Sequence, residues 1–432
     1  MTREEIAAYT LQALIKAGAD KAACRVMRGR KDEFNLEANK FTLMRTLFND
    51  ELYIKAIKEG RKGVTLINKL DKDSINTAVA DCISLTTSAL KDEAEDIAEK
   101  GENKGFVQSA GGADMESLFS RTKDYVNQVK DEYPKIVLES MTSDFNSAEM
   151  SYLNSNGVEF SSEVEYYQLG SMFSAKDGEK SSSFNGYGAR LRSLSVPFLD
   201  LDLHRTLLSE AVNSLDTRMV EGKFTGKVIV TPACDDMIWQ TIIDCFLSDS
   251  SLVQGTSRWK DALGTKVADS KLSLSAAPLN PLMVAAERFT VDGFESRNTE
   301  LIRDGVLVSF ALSLYGSRKT SKPRSLTTAF GNLEVAAGDT PLEEMIRSVD
   351  RGILINRLSG ASPGPSGDMS GVAKNSFLIE KGVVTGALKE TMVSFNIVDI
   401  LGNIGAISSQ RCSNGISVLP WCCFDGVTIS GK

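Results

Sequence analysis

Three observations predict an α+β chain built mainly from antiparallel sheets. Short alternating runs are joined by Asn156-Gly157 and Asp177-Gly178, dipeptides that supply the positive φ of tight hairpins. The runs LIRDGVLVSFALSLYG and FLIEKGVVTGALKE each read as strand, tight turn, strand around Asp304-Gly305 and Lys381-Gly382. Amphipathic helical stripes bracket these groups of strands. At about 150 residues per domain, 432 residues suggest two or three domains. The expected segments are 1–105, an N-terminal α+β unit, 106–220, an α+β unit with an antiparallel meander, and 221–432, a β-rich unit.

The first helix covers 3–17, with Ile6, Leu11, Leu14 and Ile15 at helical spacing and Gly18 as a stop. Strand-like runs follow at AACRVMRG, FTLMRTLF, ELYIKAI and GVTLIN, separated by Asn49-Asp50 and Glu59-Gly60. Ser74 is placed to cap a long helix with Ile75, Val79, Cys82 and Ile83 on its apolar side. The acidic residues 92–96 that end it read as solvated helix face. In the second segment, DMESLFSRTKDYVNQVK is a helix with Leu118, Phe119, Val126 and Val129 on one side. A later helix, LDLHRTLLSEAVNSL, carries its stripe at Leu203, Leu207, Ala211 and Leu215. His204 lies beside that stripe and reads as a solvated surface histidine.

In the third segment GKVIVTP is a strand, and Asp235 or Asp236 can cap the largely apolar helix MIWQTIIDCFLSD. TPLEEMIRSVDRG carries helix punctuation: Thr340 as N-cap, Pro341 at the first position, Glu343 completing a capping box and Gly352 beyond the end. The loop GASPGPSGDMSG leads into the last strands.

Composition narrows the chemistry. The 49 basic and 57 acidic side chains give a net charge of −8, against a general phosphate-binding surface and so against nucleic acid. His204 is the one histidine, so no site needing two imidazoles is built within this chain. The seven cysteines are odd in number and form no CxxC pair, which reads as reduced thiols in a cytoplasmic protein. No secretory signal or membrane-length apolar run is present. The glycines of 360–371 do not spell GxGxxG or GxxxxGK[ST], and there is no GxSxG. No motif announces chemistry on its own.

Several stretches of the third segment, taken in order, resemble the PmbA/TldD family, long labelled modulators of DNA gyrase. They are GKVIVTPACDDMIWQTIIDCF, SRWKDALGTKVADSKLSL, FTVDGFESRNTELIRDGVLVSFALSLYGSRKT, GDMSGVAKNSFLIEKGVVTGALKETMVSFNIVDIL and VTISGK. The first segment is similar through GRKGVTLIN and its long helix. The resemblance implies a two-subunit cytoplasmic assembly that cleaves or matures peptides. In its catalytic TldD-like branch, HExxxH on a helix and a cysteine near the C-terminus bind a metal, leaving a position for the attacking water.

The matching positions here are Trp239, Gln240 and Asp244, with Cys412 in the neighbourhood of the thiolate. Both histidines and the glutamate are missing. The resemblance therefore implies the PmbA/TldE-like branch: no metal in this chain, and zinc in a TldD-like catalytic subunit with which it forms a heterodimer. A homodimer is expected when the chain is isolated. Gly367, Asp368 and Ser370 are candidates for a loop lining a peptide cavity. Two other readings stay open: a self-sufficient hydrolase using Asp235, Asp236, Asp244, Cys245 or Cys412, and a gyrase-interacting regulator. No membrane association is expected.

Overall fold

The structure is a computed structural model; it describes all residues except Glu102, Ser362, Pro365 and Lys432, and the side chains of Asp235 and Asp236. Among the described residues the strands form two large, mostly antiparallel sheets with helices packed on them.

The chain opens with α1 (Arg3–Lys16), β1 (Lys21–Glu37), β2 (Lys40–Lys58), β3 (Arg61–Ile67) and α2 (Lys72–Ser88). A capping box starts α1: Thr2 Oγ1 accepts from Glu5 N–H, and the Glu5 carboxylate accepts from Thr2 N–H. Ala38 and Asn39, both with positive φ, turn β1 into β2. There follow β4 (Lys104–Gln108), α3 (Met115–Glu132), β5 (Ile136–Asn154) and β6 (Glu159–Asp177). The first sheet runs β3-β2-β1-β5-β6-β4, with the strand Asn185–Leu191 also on β6. β1 pairs with β5 from Ala23↔Asn154 to Glu37↔Ser140. Residues on either side of 105/106 thus share one sheet.

Period-two alternation sorts the side chains of this sheet. Cys24, Val26, Leu52 and Ile54 pack under α1 and α2. Further along, Phe34, Phe145, Tyr167 and Leu169 pack under α3 and α4 (His204–Asn213). Tyr152 and Phe160 face the other way and meet Phe289 of the C-terminal region.

The second sheet is organised by its strand Val418–Ser430, which pairs antiparallel with Lys223–Val230 and Ile404–Ser413. Between them α5 (Pro232–Ile242) buries Ile238, Trp239 and Ile242 in the largest core.

The structure corrects several expectations. Asn49-Asp50 is no turn: both residues lie within β2, where pairing to β1 holds the chain extended. Asp71, not Ser74, caps α2, its carboxylate accepting from Ser74 N–H. α5 starts at Pro232 with Thr231 as N-cap, ahead of Asp235 and Asp236. The helix Leu342–Arg347 is capped by Pro341 with no side-chain bond, the Thr340 hydroxyl turns to Asp339, and Gly352 lies in a strand. Residues 92–96 are not a solvated helix face. Asp92 pairs with Lys319 and accepts from Tyr315 Oη, Glu95 pairs with Lys55 and Lys62, and Asp96 with Lys21 and Arg318. That segment clasps the first sheet to residues 315–319.

His204 is likewise not a surface residue. It is fully buried between the rings of Tyr125 and Tyr187, with centroids 4.9 and 4.5 Å away. Its Nδ1 lies 2.8 Å from Phe198 O, a group that only accepts, so Nδ1 carries the hydrogen. Nε2 then accepts from Tyr125 Oη at 2.8 Å. Burial pushes the imidazole down to about 4, so it is neutral at pH 7.

Candidate functional site

The helix resembling the family's metal motif is α5, which runs on into a wider π turn over Ile243–Leu247. Trp239 and Asp244 are five residues apart, and five α-helical steps of 100° leave two side chains about 140° apart. Their surroundings agree with that angle. Trp239 is fully buried, and its Nε1–H finds no acceptor among the described residues. Asp244 is exposed and accepts from Gln240 Nε2 at 3.1 Å.

Cys412 lies elsewhere, in the strand Ile404–Ser413. It lines a cavity of about 220 Å³ with Tyr187, Asp202, Leu207, Pro232 and Leu419. This cavity lies between α4 and the start of α5. Burial, reinforced by the Asp202 carboxylate, pushes the Cys412 thiol up to about 12. Asp202 itself has φ of +31° and accepts from Ser413 N–H. Sequence reasoning missed Asp202 and Tyr187, since nothing local marks either as part of a pocket. Neither Trp239 nor Asp244 lines this cavity. The structure does not bring the three positions together.

The glycine-containing loop meets the far end of the same helix. Gly367 has φ of +89°, and a Cβ there would lie 2.9 Å from Phe246 Cζ. Cys245 Sγ points to Gly364 O at 3.9 Å, at the limit of a sulfur hydrogen bond. Burial raises that thiol, helped by the charge of Asp244. Asp368 accepts from Ser366 Oγ at 2.6 Å and Asn396 Nδ2 at 2.9 Å, which holds its carboxyl below the ordinary value. Ser370 Oγ lies 2.9 Å from Ser394 Oγ across the strand pair. Gly367 therefore adjoins the π turn, whereas Asp368 and Ser370 belong to one ladder.

The residues at the matching positions do not fit zinc. An indole N–H offers no lone pair, a thiol titrating near 12 is protonated at neutral pH, and Asp244 is an exposed carboxylate bonded to Gln240. Among the described residues, no three His, Cys, Asp or Glu side chains are grouped as a metal site. The side chains of Asp235 and Asp236 lie outside the described residues. No helix among the described residues is long and apolar enough to cross a membrane.

This pair of sheets, with the Trp239 helix against the closing strand, has the fold of known proteins. It superposes on a TldE from Thermococcus kodakarensis with a TM-score of 0.85 at 19% identity, covering 99% of each chain. A protein from Bacteroides thetaiotaomicron described as a modulator of DNA gyrase matches with a TM-score of 0.87 at 21% identity, again covering 99% of each. Residues 223–431 match the PmbA/TldA metallopeptidase C-terminal domain. Through that domain the chain is similar to the PmbA/TldD family. The metalloprotease PmbA of Escherichia coli O157:H7 is 24% identical over 152 residues, 35% of this chain and 34% of that protein. A metalloprotease of Methanocaldococcus jannaschii is 24% identical over 204 residues, 44% of each. The chain thus spans between a third and a half of the curated relatives it matches.

Proposed function

We propose that this chain is the non-catalytic, TldE-like subunit of a TldD-type metallopeptidase that acts on peptides in the cytoplasm, the zinc being held by a TldD-like partner. The observation that carries the reading is Trp239, sealed in the core where the catalytic branch of the family has its first histidine. The wrongly facing Asp244 and the protonated Cys412 support it.

In this role the chain helps hold an extended peptide. The strand Asn185–Leu191 pairs with β6 on one side; Gly186 and Gly188 line the Cys412 cavity, and Arg190 N–H bonds Asn414 O. A peptide main chain pairs along this edge, and an apolar side chain enters beside Tyr187 and Leu207.

Self-sufficient hydrolysis gains no support here, since the Cys245 and Cys412 thiols are both raised rather than activated. A role at gyrase rests on the description of the Bacteroides relative.

The test mixes the purified chain with the TldD-like protein of its own organism. Co-elution and a peptidase activity greater than that of the TldD-like protein alone are expected. Separate elution with unchanged activity overturns the reading.

A further inference from the structure

The strand Asn185–Leu191 has one edge on β6, and among the described residues no strand pairs with the other. Arg190 N–H points to that other side and donates to Asn414 O at 2.8 Å. Alternation along a strand turns the main-chain groups of Gly188 to the same side, where Gly188 lines the Cys412 cavity. The turn at 413–415 therefore closes the edge at Arg190, and Gly188 is the next position open to a peptide. A main chain laid along this edge ends at the turn.

Asp202 stands at that stop. Its carboxylate accepts from Ser413 N–H, and the Cys412 thiol lies against it. No lysine or arginine among the described residues is bonded to it, and no side chain lining the cavity is basic. A carboxylate has about four acceptor sites, which leaves room here for a charged donor. Asp202 is exposed, whereas Leu207 and Leu419, which line the same cavity, are buried. The negative charge is at the mouth and the apolar surface at the bottom.

We propose that this corner captures the free N-terminus of a peptide. The α-ammonium pairs with Asp202, the first side chain, a large apolar one, fills the cavity, and the main chain runs antiparallel to Asn185–Leu191. This capture rests on the peptide-holding role proposed above and names the end of the peptide that is held.

The chemistry selects this occupant. A C-terminal carboxylate would meet the like charge of Asp202. A lysine side chain reaching inward would carry its ammonium to Leu207 and Leu419, where an unpaired charge is costly. An α-ammonium is one bond from its Cα, so it stays at the mouth while the side chain enters. The direction follows as well, because a peptide that starts at the C-terminal end of the strand runs antiparallel to it. Apolar cavities of about 150 Å³ hold a benzene ring. A cavity of about 220 Å³ has room for a leucine or phenylalanine side chain.

Fluorescence polarisation of the purified chain with two short peptides tests the capture. Both begin with leucine and carry a dye at the C-terminus, and one is acetylated at its N-terminus. The free peptide should bind about tenfold more tightly, since acetylation removes a charge-assisted hydrogen bond. Asp202→Asn should weaken the free peptide by about the same factor and leave the acetylated one unchanged. Asparagine tolerates the φ of +31° and keeps an oxygen for Ser413 N–H. Ala233→Phe, at an exposed position lining the cavity, should fill it and weaken both peptides.

Equal affinity for the two peptides overturns the proposal, as does a preference that survives Asp202→Asn or binding indifferent to Ala233→Phe. An acetylated peptide beginning with lysine that binds as tightly as the free leucine peptide overturns it too, and makes the cavity a site for basic side chains. Absence of binding by either peptide also overturns it. Co-elution with a TldD-like protein is a separate measurement, so the partner-subunit reading stands or falls on its own.

Discussion

Asn356, at the end of one strand of the second sheet, donates its side-chain amide to Glu210 of α4 at 2.7 Å, joining the two halves of the molecule through one carboxyl. Burial there raises Glu210 to about 7. Its folded value lies above its unfolded one, so the folded state binds the extra proton. The stability it contributes is present below about 4.5 and is lost as pH rises through 7. Glu210→Gln should remove this dependence and make the protein more stable than wild type at pH 8, by up to about 3 kcal/mol. Urea unfolding of both proteins at pH 5 and pH 8 measures it; parallel shifts would contradict the assignment.

His204 has the opposite sign. Its folded value of about 4 lies below the ordinary 6.5, so stability is lost as pH falls between those values, by about 3 kcal/mol in all. With a single histidine in the sequence, NMR offers a direct reading. One imidazole resonance should stay unshifted from pH 8 to below pH 5.5. A midpoint near 6.5 in the folded protein would refute the burial argument.

The two positions that match the family's histidines should respond very differently to truncation. Trp239→Ala removes a fully buried indole and should cost about 3–5 kcal/mol. Asp244→Ala removes an exposed carboxylate bonded only to Gln240 Nε2 and should stay within about 0.5 kcal/mol. Thermal denaturation checks both, and a costly Asp244→Ala would mean that this face is covered in the protein.

The clasp between residues 92–96 and 315–319 should be sensitive to salt. Replacing Arg318 and Lys319 by Ala removes the partners they give Asp96 and Asp92, and should lower the melting temperature at low ionic strength. The difference from wild type should shrink in 1 M salt. A cost independent of salt would point to lost packing of the side-chain stems instead.

Local patterns made part of this architecture legible. The stripes of α1 and α3 gave their helices, and the glycines at 157, 305 and 382, all with positive φ, gave their turns. Family resemblance emerged from many weak stretches in order. What stayed hidden depends on partners distant in sequence. His204 looked exposed because Tyr125 and Ser171, which bury and bond it, lie 79 and 33 residues away. The acidic run looked solvated because Arg318 lies 222 residues from Asp96. Asn49-Asp50 has turn chemistry, and only β1 alongside holds it straight. At the candidate site the motif positions were visible, but the opposite facing of Trp239 and Asp244 required the helix to be seen in place.

The pairing of β1 with β5 carries a cost in time. The partners in that ladder are separated by more than a hundred residues of chain, from Glu37↔Ser140 outward. At 5–20 residues per second, a ribosome needs roughly 5–20 s to deliver β5 after β1 has emerged. Through that interval the nascent β1–β2 hairpin has its β1 edge open, and β3 covers its β2 edge only from Leu52 to Lys58. It is the part of this protein that a ribosome-associated chaperone would be expected to hold.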